Sequence, residues 1–329
     1  MNAGNLFAPH VGLLNQQERL TDTTWEGATV TSMVGTLGQL YQAVPLFSRH
    51  PFRSGGEENR YKDEIRREPL RVDEDPIPVA TVSKTYSLIQ HRDVLSSVYR
   101  ALRLLNLQNP DVESTLLLSE YGERMLWSCQ LPNFDFDPGD GCPIVLRMNC
   151  LNSVDMSTSL EVNLEWFRLV CSNGLMFGLG DSRMRRRHIR SLDPAEVAGY
   201  VREQLSQAKR EQGLYQQWLT HEVTLEQSSA WVDSTVASGW GVHAAARVWH
   251  VISSGYDGEV QQPKEKRPPH LLPVNATTRV PGAPVPAENL FHVSQALSWV
   301  AGTRKSVQDR IQFITQIPAL MEPLVESTR

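Results

Sequence analysis

The sequence predicts an α+β fold in which an antiparallel β-sheet of hairpins packs with long helices and is followed by a C-terminal helical region. Strand-like segments cluster between residues 112 and 170 instead of alternating with helices, which favours antiparallel pairing. A long helical pattern begins at Pro194, and further helical patterns extend toward the C-terminus. The chain has 329 residues, enough for about two domains, and its 40% hydrophobic content is ordinary for a globular protein.

Residues 1–77 are predicted to form an N-terminal region with an arm, a helix and a charged excursion. Residues 1–30 are polar and aperiodic, as expected of an arm. Apolar residues recur at helix-like spacing over 30–46. Residues 47–77 are highly charged and contain two adjacent glycines and several prolines. We therefore expect this segment to be exposed or partly disordered.

Residues 78–220 are predicted to form an α+β core that contains the arginine-rich segment. The β-branched content of residues 79–83 predicts a strand that residues 86–90 continue. The apolar spacing over 93–107 predicts a helix. Four further segments have the composition of strands and are expected to pair as two hairpins: 112–120 with 123–131, and 144–151 with 159–170.

A helix is predicted to begin at Pro194, with Asp193 as its N-cap, and to run to about residue 219. Residues 221–329 are predicted to form a helical C-terminal region. Its helical patterns cover 224–254, 287–300 and 304–322. The segment 257–286 holds seven prolines and is predicted to be a linker without a helix or a strand.

A local concentration of arginines is the most informative feature of the chain. Five arginines and a histidine lie within residues 183–190, although the whole chain carries a net charge of −5. Guanidinium groups fork onto phosphate oxygens and stack on bases, so this segment predicts a local contact with a polyanion. Trp166 and Phe177 precede it and are candidates for base stacking, although both also suit a core. The predicted nucleic-acid-binding residues are Arg168, Arg183, Arg185, Arg186, Arg187, His188 and Arg190.

Other interpretations of the chain stay open. The arginines would also suit contact with an acidic protein surface, as in an accessory factor of a mobile element that counters host defence. They would equally suit a solvated turn in which Asp181, Asp193 and Glu196 supply the counter-charges. A third hypothesis is an enzyme built around His243 and His250, which share a face of a predicted helix.

The motifs of nucleotide, metal and nucleophile sites do not fit. The glycines within residues 174–180 follow neither the P-loop pattern nor the dinucleotide fingerprint. The four cysteines form no C-x-x-C pair, which favours reduced core cysteines over a zinc site or a disulfide framework. The acidic loop 135–141 lacks the closing glutamate of a calcium loop. No serine lies in a G-x-S-x-G frame. We therefore expect no cofactor and no metal.

The chain carries no signal for secretion or membrane insertion. Its N-terminus lacks the basic and apolar regions of a signal peptide. No stretch approaches the ~20 apolar residues that span a bilayer. We therefore expect a cytoplasmic protein without membrane contact.

Three segments resemble a known family. Residues 86–95 (YSLIQHRDVL) resemble its strand-to-helix pattern Y-x-V/I-x-x-x-E/D, with Leu88 at the V/I position and the acid, Asp93, one position later. Residues 167–175 (FRLVCSNGL) follow its strand end R-x-V-C-x-N-G/T-L before basic residues, and residues 290–301 (LFHVSQALSWVA) follow its closing helix. On these motifs the chain resembles the phage- and plasmid-encoded domain-of-unknown-function family 932. The resemblance covers about residues 78–322, and the segment 47–77 has no counterpart in it.

The resemblance implies a protein of a phage or another mobile element and leaves its activity open. The order of a hairpin-rich sheet and helices is similar, at the level of the fold alone, to that of single-strand annealing proteins of recombination. This similarity implies a non-enzymatic protein that binds single-stranded nucleic acid. Annealing proteins form rings, so a homo-oligomer is implied as well, and its subunits would pair through strand edges of the sheet.

Overall fold

The computed structural model describes residues 24–25, 28–107, 113–137, 143–168, 175–178, 184–186, 193–261 and 266–328. Over these residues the chain is α+β with antiparallel sheets and a C-terminal helical region, which confirms the predicted fold class. It divides into two compact units. The first comprises residues 1–134, 146–164 and 182–205, and the second comprises residues 135–145, 165–181 and 206–329. The three regions predicted from the sequence, 1–77, 78–220 and 221–329, stay a prediction.

Eight strands form the largest sheet: β1 (Thr24–Trp25), β2 (Ala28–Thr36), β6 (Glu113–Ser119), β7 (Arg124–Phe136), β8 (Ile144–Ser153), β9 (Leu160–Arg168), β10 (Leu175–Gly178) and β11 (Met184–Arg186). They are joined in the order β1-β2-β6-β7-β8-β9-β10, and β11 pairs with β9. The predicted hairpin of β6 and β7 is confirmed, and so are the predicted strands β8 and β9. Alternating and β-branched residues therefore located these strands correctly.

β2 occupies part of the segment 30–46, for which the apolar spacing predicts a helix. The strand pairs with β6 from Val30 to Thr36, and the helix α1 (Leu37–Ala43) begins only after it. Thr36 caps this helix in a capping box, in which its backbone N–H donates to Gln39 Oε1 over 2.9 Å. Pairing with a distant segment of the chain outweighs the helix-like spacing here, so the helix prediction was wrong for the strand residues.

A second sheet lies where the sequence predicts an exposed or partly disordered excursion. Its strands are, in spatial order, β3 (Phe47–Ser54), β4 (Glu57–Arg67) and β5 (Ile77–Ser83). Gly55 and Gly56 join β3 to β4 with φ angles of 61° and 90°, which suit a two-residue hairpin turn. Phe47, Ile65 and Val82 form its buried cluster. Residues 79–83 are a strand as predicted, whereas 86–90 do not continue it.

A buried histidine ties the first unit together at the start of α2 (His91–Leu104). Its Nε2 lies 2.9 Å from the Gly122 carbonyl and donates to it, because a carbonyl can only accept. Nδ1 accepts from Asn152 Nδ2 over 2.8 Å, and the same amide donates to the Ile89 carbonyl over 3.2 Å. The Phe47 ring packs edge-on against the imidazole with centroids 5.5 Å apart. One neutral imidazole thus connects a helix, a hairpin turn and two sheets.

The remaining helices are α3 (Pro194–Thr220), α4 (Leu225–Trp231), α5 (Ala237–Trp240), α6 (Val242–Ser254), α7 (Leu290–Gly302) and α8 (Val307–Ser327). They confirm the helical patterns that the sequence showed in these regions. At the start of α3, Asp193 Oδ1 accepts from the backbone N–H of Ala195 over 2.9 Å, as expected of an N-cap. A π-helical turn, Val232–Val236, joins α4 to α5.

The predicted proline-rich linker contains a hairpin of β12 (Tyr256–Val260) and β13 (Val274–Arg279). Asp257 holds this hairpin in the second unit and is 4% exposed. It accepts a bidentate pair from Arg247 over 2.8 and 2.5 Å and a third hydrogen bond from Trp299 Nε1 over 2.8 Å. A buried carboxylate is stable only with such donors, so the linker prediction missed an element that long-range ion pairing holds in place.

An aromatic cluster in the second unit includes Tyr215 of α3, which lies close to the half-buried Glu211 of the same helix. Phe136 stacks on Tyr215 with centroids 6.4 Å apart, and Tyr215 meets Trp218 edge-on at 5.6 Å. Glu211 lies one turn before Tyr215, and its Oε2 is buried without a hydrogen-bond partner among the described residues. Burial raises the pKa of Glu211 to about 8, although a hydrogen bond with Gln207 and the charge of Arg210 lower it in part.

We predict that Asn152→Leu destabilises the protein by about 2–4 kcal/mol, because it removes the amide that donates to two buried acceptors, the Ile89 carbonyl and His91 Nδ1. Urea unfolding at pH 7 measures the loss. Asn163→Leu on β9, at a half-buried position, is the matched control and should cost under about 1 kcal/mol. Equal losses in the two variants would contradict the role given to the amide.

We predict that stability falls as the pH rises from about 4.5 to 8. In this window Glu211 is protonated in the folded state and ionised in the unfolded chain, so the folded state binds more protons. Glu211→Gln should flatten the profile and stabilise the protein at pH 8 by about 2–4 kcal/mol. Unfolding in urea across this pH range measures both effects. Glu203→Gln, at an exposed position of the same helix, should leave the profile as in the parent protein.

Candidate nucleic-acid interface

The arginine-rich segment enters the described structure as β11, a three-residue strand on the outer side of β9. Its register pairs Met184 with Val162 and Arg185 with Glu161. Met184 is buried, whereas Arg185 is exposed, so side chains alternate as they do on a strand with one wet face. The buried methionine anchors the strand, and this anchor sets the position of the arginine beside it.

Among the described residues Arg185 has one anionic partner, and its side chain remains largely accessible. Its Nε lies 3.2 Å from Glu161 Oε1 and 3.2 Å from Ser159 Oγ. The Arg185 side chain is 69% exposed and the Glu161 side chain is 14% exposed. A cation with this exposure can still be approached by a second anion, because exposed ion pairs are weak and solvent-screened. Glu161 is therefore a competitor of any phosphate that approaches Arg185.

The backbone also places two further predicted residues. Arg186 lies opposite Leu160 on β9, and Arg168 is the last residue of β9, opposite Leu175 of β10. The register therefore puts Arg186 beside Arg185 on one short strand and gives Arg168 a pairing of its own. The predicted residues Arg183, Arg187, His188 and Arg190 lie outside the described residues.

Of the two aromatic residues proposed for base stacking, the structure describes the side chain of Trp166, whereas the side chain of Phe177 lies outside the described residues. Trp166 is 1% exposed and meets Phe136 edge-on with centroids 5.3 Å apart. A ring buried in this way packs within the protein and offers no face to a base, which confirms the alternative that Trp166 is a core residue. The backbone of Phe177 lies opposite Trp166 in β10.

The two histidines on which the enzyme hypothesis rests both lie on α6, seven residues apart. His243 is exposed near the start of the helix. His250 lies near its end, where Nδ1 is 2.9 Å from the Tyr256 carbonyl and 2.8 Å from Ser254 Oγ. These bonds hold the turn from the helix into β12, which gives His250 a structural explanation. Within the described ranges, no three His, Cys, Asp or Glu side chains are grouped so that they could hold a metal ion.

Cys129 and Cys150 are buried free thiols, as the cysteine spacing predicted. Burial raises the pKa of Cys129 to about 12 and that of Cys150 well above its ordinary value. A thiol that stays protonated at neutral pH is a poor nucleophile and a poor metal ligand. These two cysteines are therefore core residues.

A group of exposed side chains that the sequence analysis did not select lies on β4. Arg60, Tyr61 and Lys62 are consecutive and exposed, and Tyr61 is 77% exposed. The two-glycine turn between alternating segments was the available signal for this hairpin. The high charge of residues 47–77 masked it, because that composition also fits a disordered segment.

A family model described as "Domain of unknown function (DUF932)" matches residues 78–267, more than half of the chain. The chain belongs to the DUF932 family. The DUF932 match contains β11 and the whole arginine-rich segment, and it begins after β4. Comparison with curated proteins and with solved structures found no match. Of the helices in the described residues, none has the length and apolarity needed to cross a membrane.

Proposed function

We propose that this protein binds single-stranded nucleic acid with little sequence preference and acts as a non-enzymatic annealing-type protein of a phage or another mobile element. The observation that carries the proposal is Arg185, a highly exposed guanidinium on a short strand, within five arginines of a chain whose net charge is −5. A cluster of cations in an acidic chain favours a local polyanion partner.

The chemistry of the segment supports backbone contact over base reading. Guanidinium groups of Arg185 and its neighbours would pair with phosphate oxygens, which every nucleotide carries. β11 is a short strand, and no helix in the described part of the segment offers side chains to a duplex groove. The expected binding is therefore sequence-independent and depends strongly on salt. DNA and RNA share this backbone chemistry.

One observation favours a second candidate, an accessory protein that binds an acidic protein surface. Arg185 already pairs with a carboxylate, that of Glu161, so its position accommodates an acidic side chain. In this case poly-glutamate would compete for the segment as well as an oligonucleotide does. For annealing-type binding, the oligonucleotide should displace poly-glutamate at equal charge concentration.

We predict that the affinity for a single strand falls as the salt concentration rises, with a slope set by the number of phosphates that the arginines bind. If five phosphates are neutralised, log K against log salt should have a slope of about −3.5 for a single strand. Fluorescence anisotropy with a labelled 30-nucleotide oligomer measures it. The triple variant Arg185→Ala, Arg186→Ala, Arg187→Ala should lose most of the affinity, and the slope should fall in magnitude by about 2.

Two controls separate binding from folding. Glu161→Gln removes the competing anion 3.2 Å from Arg185, so it should strengthen binding. The free energy of unfolding of the triple alanine variant should differ from that of the parent protein by at most about 1 kcal/mol for each arginine replaced, as expected if the three side chains make only weak surface ion pairs. A salt-independent affinity, or no binding at low salt, would contradict the proposal.

We further propose that the protein forms a homo-oligomer through the edge of its large sheet. β2 pairs with β6 on one side, while on its other side β1 pairs only with Ala28 and Thr29. Among the described residues, no strand covers that outer edge from Val30 to Thr36. An open strand edge favours addition of another strand.

We predict by light scattering a mass that is a multiple of 37.1 kDa at micromolar concentration. If the pairing is head-to-tail, the same interface repeats from subunit to subunit. Closed rings are then expected where the rotation between neighbouring subunits closes. A single species at the monomer mass would rule the assembly out at that concentration.

A further inference from the structure

Tyr61 is an aromatic side chain that the fold leaves in solvent. It is 77% exposed, whereas the surface tyrosines Tyr121 and Tyr256 are 40% and 41% exposed. Its strand, β4, has eleven residues and pairs with β5 only from Lys62 to Arg67, so Tyr61 lies beyond that pairing. An aromatic ring this exposed adds nothing to the core, and its faces are accessible to a partner.

The backbone that carries Tyr61 is fixed on both sides. Asn59 Oδ1 accepts from the backbone N–H of Tyr61 over 2.9 Å and from that of Lys62 over 3.1 Å. The Tyr61 carbonyl accepts from the backbone N–H of Lys84 over 3.1 Å. The main chain that carries the ring is therefore held by hydrogen bonds. Binding of a partner then costs little free energy for ordering the main chain.

Two acids of β4, Glu58 and Asp63, are paired with cations. Glu58 lies 3.0 Å from Lys84 Nζ, a hydrogen bond that raises the pKa of Lys84. Asp63 is buried and lies 3.6 Å from Arg49 and 3.7 Å from Lys84. These contacts neutralise two of the acidic groups of the hairpin.

Arg53, Arg60 and Lys62 are exposed and have no ion pair with any described residue. Glu57 is the exposed acid that remains at the tip. The hairpin therefore carries three exposed cations without an ion pair to a described residue, and two of them, Arg60 and Lys62, are the chain neighbours of Tyr61. An acidic peptide would satisfy the cations alone, whereas a single-stranded nucleic acid has both phosphates for the cations and base faces for the ring.

We propose that the β3–β4 hairpin is a second contact surface for single-stranded nucleic acid, in which a base stacks on Tyr61 while Arg53, Arg60 and Lys62 bind the adjoining phosphates. The inference rests on the proposed function and adds a surface to it. The hairpin lies outside residues 78–267, so the family match does not account for it. Stacking accepts every base, which agrees with binding of low sequence preference.

The test measures the affinity of the full chain for a labelled oligo-dT of 30 nucleotides. Tyr61→Ala should weaken binding about five- to hundredfold, the range of one lost stacking contact. Tyr61→Phe should bind like the parent protein, because the ring keeps its face. Tyr121→Ala is the matched control, since this tyrosine is half as exposed and its neighbours are Glu120 and Gly122.

A direct readout complements the affinities. An oligomer with 5-iodouracil is irradiated in the complex, and the cross-linked peptide is identified by mass spectrometry. A cross-link at Tyr61 in the parent protein, lost in Tyr61→Ala, is the expected result. Circular dichroism of each variant shows whether it is folded. A folded Tyr61→Phe variant that binds like the parent protein shows that the ring, and not the hydroxyl group, makes the contact.

The outcomes separate this inference from the function on which it rests. If Tyr61→Ala binds like the parent protein while the triple arginine variant loses binding, the hairpin surface is overturned and the proposed function stands. If the triple variant binds normally and Tyr61→Ala does not, the hairpin stands and the arginine segment fails. Absence of binding by the parent protein overturns both. Equal dependence of poly-glutamate binding on Tyr61 overturns the nucleic-acid assignment.

Discussion

The first unit depends on a neutral imidazole whose two nitrogens are both occupied. His91 donates to the turn between β6 and β7 and accepts from Asn152 on β8. Its ring face meets Phe47, the first residue of β3, whose backbone is in turn held at both polar atoms by the Gln90 side chain. Protonation of Nδ1 would turn an acceptor into a donor facing another donor, so the packing requires the neutral form.

The contacts of Phe47 help to explain how the β3–β4 hairpin, which extends into solvent, is held in place. Phe47, Ile65 and Val82 bury one end of the small sheet, and the other end extends into solvent along β4. Its buried end fixes the strand, and local hydrogen bonds fix the part that no core covers. Burial at the base of the hairpin and hydrogen bonds near Tyr61 therefore both hold its main chain in place. A binding surface needs an ordered main chain of this kind.

Charge distribution connects the two proposed contact surfaces. The chain is acidic overall, but on the hairpin the acidic side chains Glu58 and Asp63 are used in ion pairs with Arg49 and Lys84. On β11, by contrast, the exposed Arg185 keeps a sheltered carboxylate beside it. On the hairpin, the pairing of the acids leaves other cations without an ion pair to a described residue. On β11, a phosphate that binds Arg185 has to compete with the Glu161 carboxylate. Long-range electrostatics would repel a polyanion from most of this chain and leave such local surfaces to bind it.

The sequence by itself determined the elements whose signals are local. The helix from Pro194 with its Asp193 cap, the hairpin of β6 and β7, and the helical C-terminal region follow from capping, turn and periodicity rules that act over a few residues. Tertiary structure alone decided that the segment before Leu37 is a strand, because its partner β6 lies far away in the chain. It likewise decided that Trp166 is buried and Tyr61 exposed, since burial depends on which distant residues cover a ring.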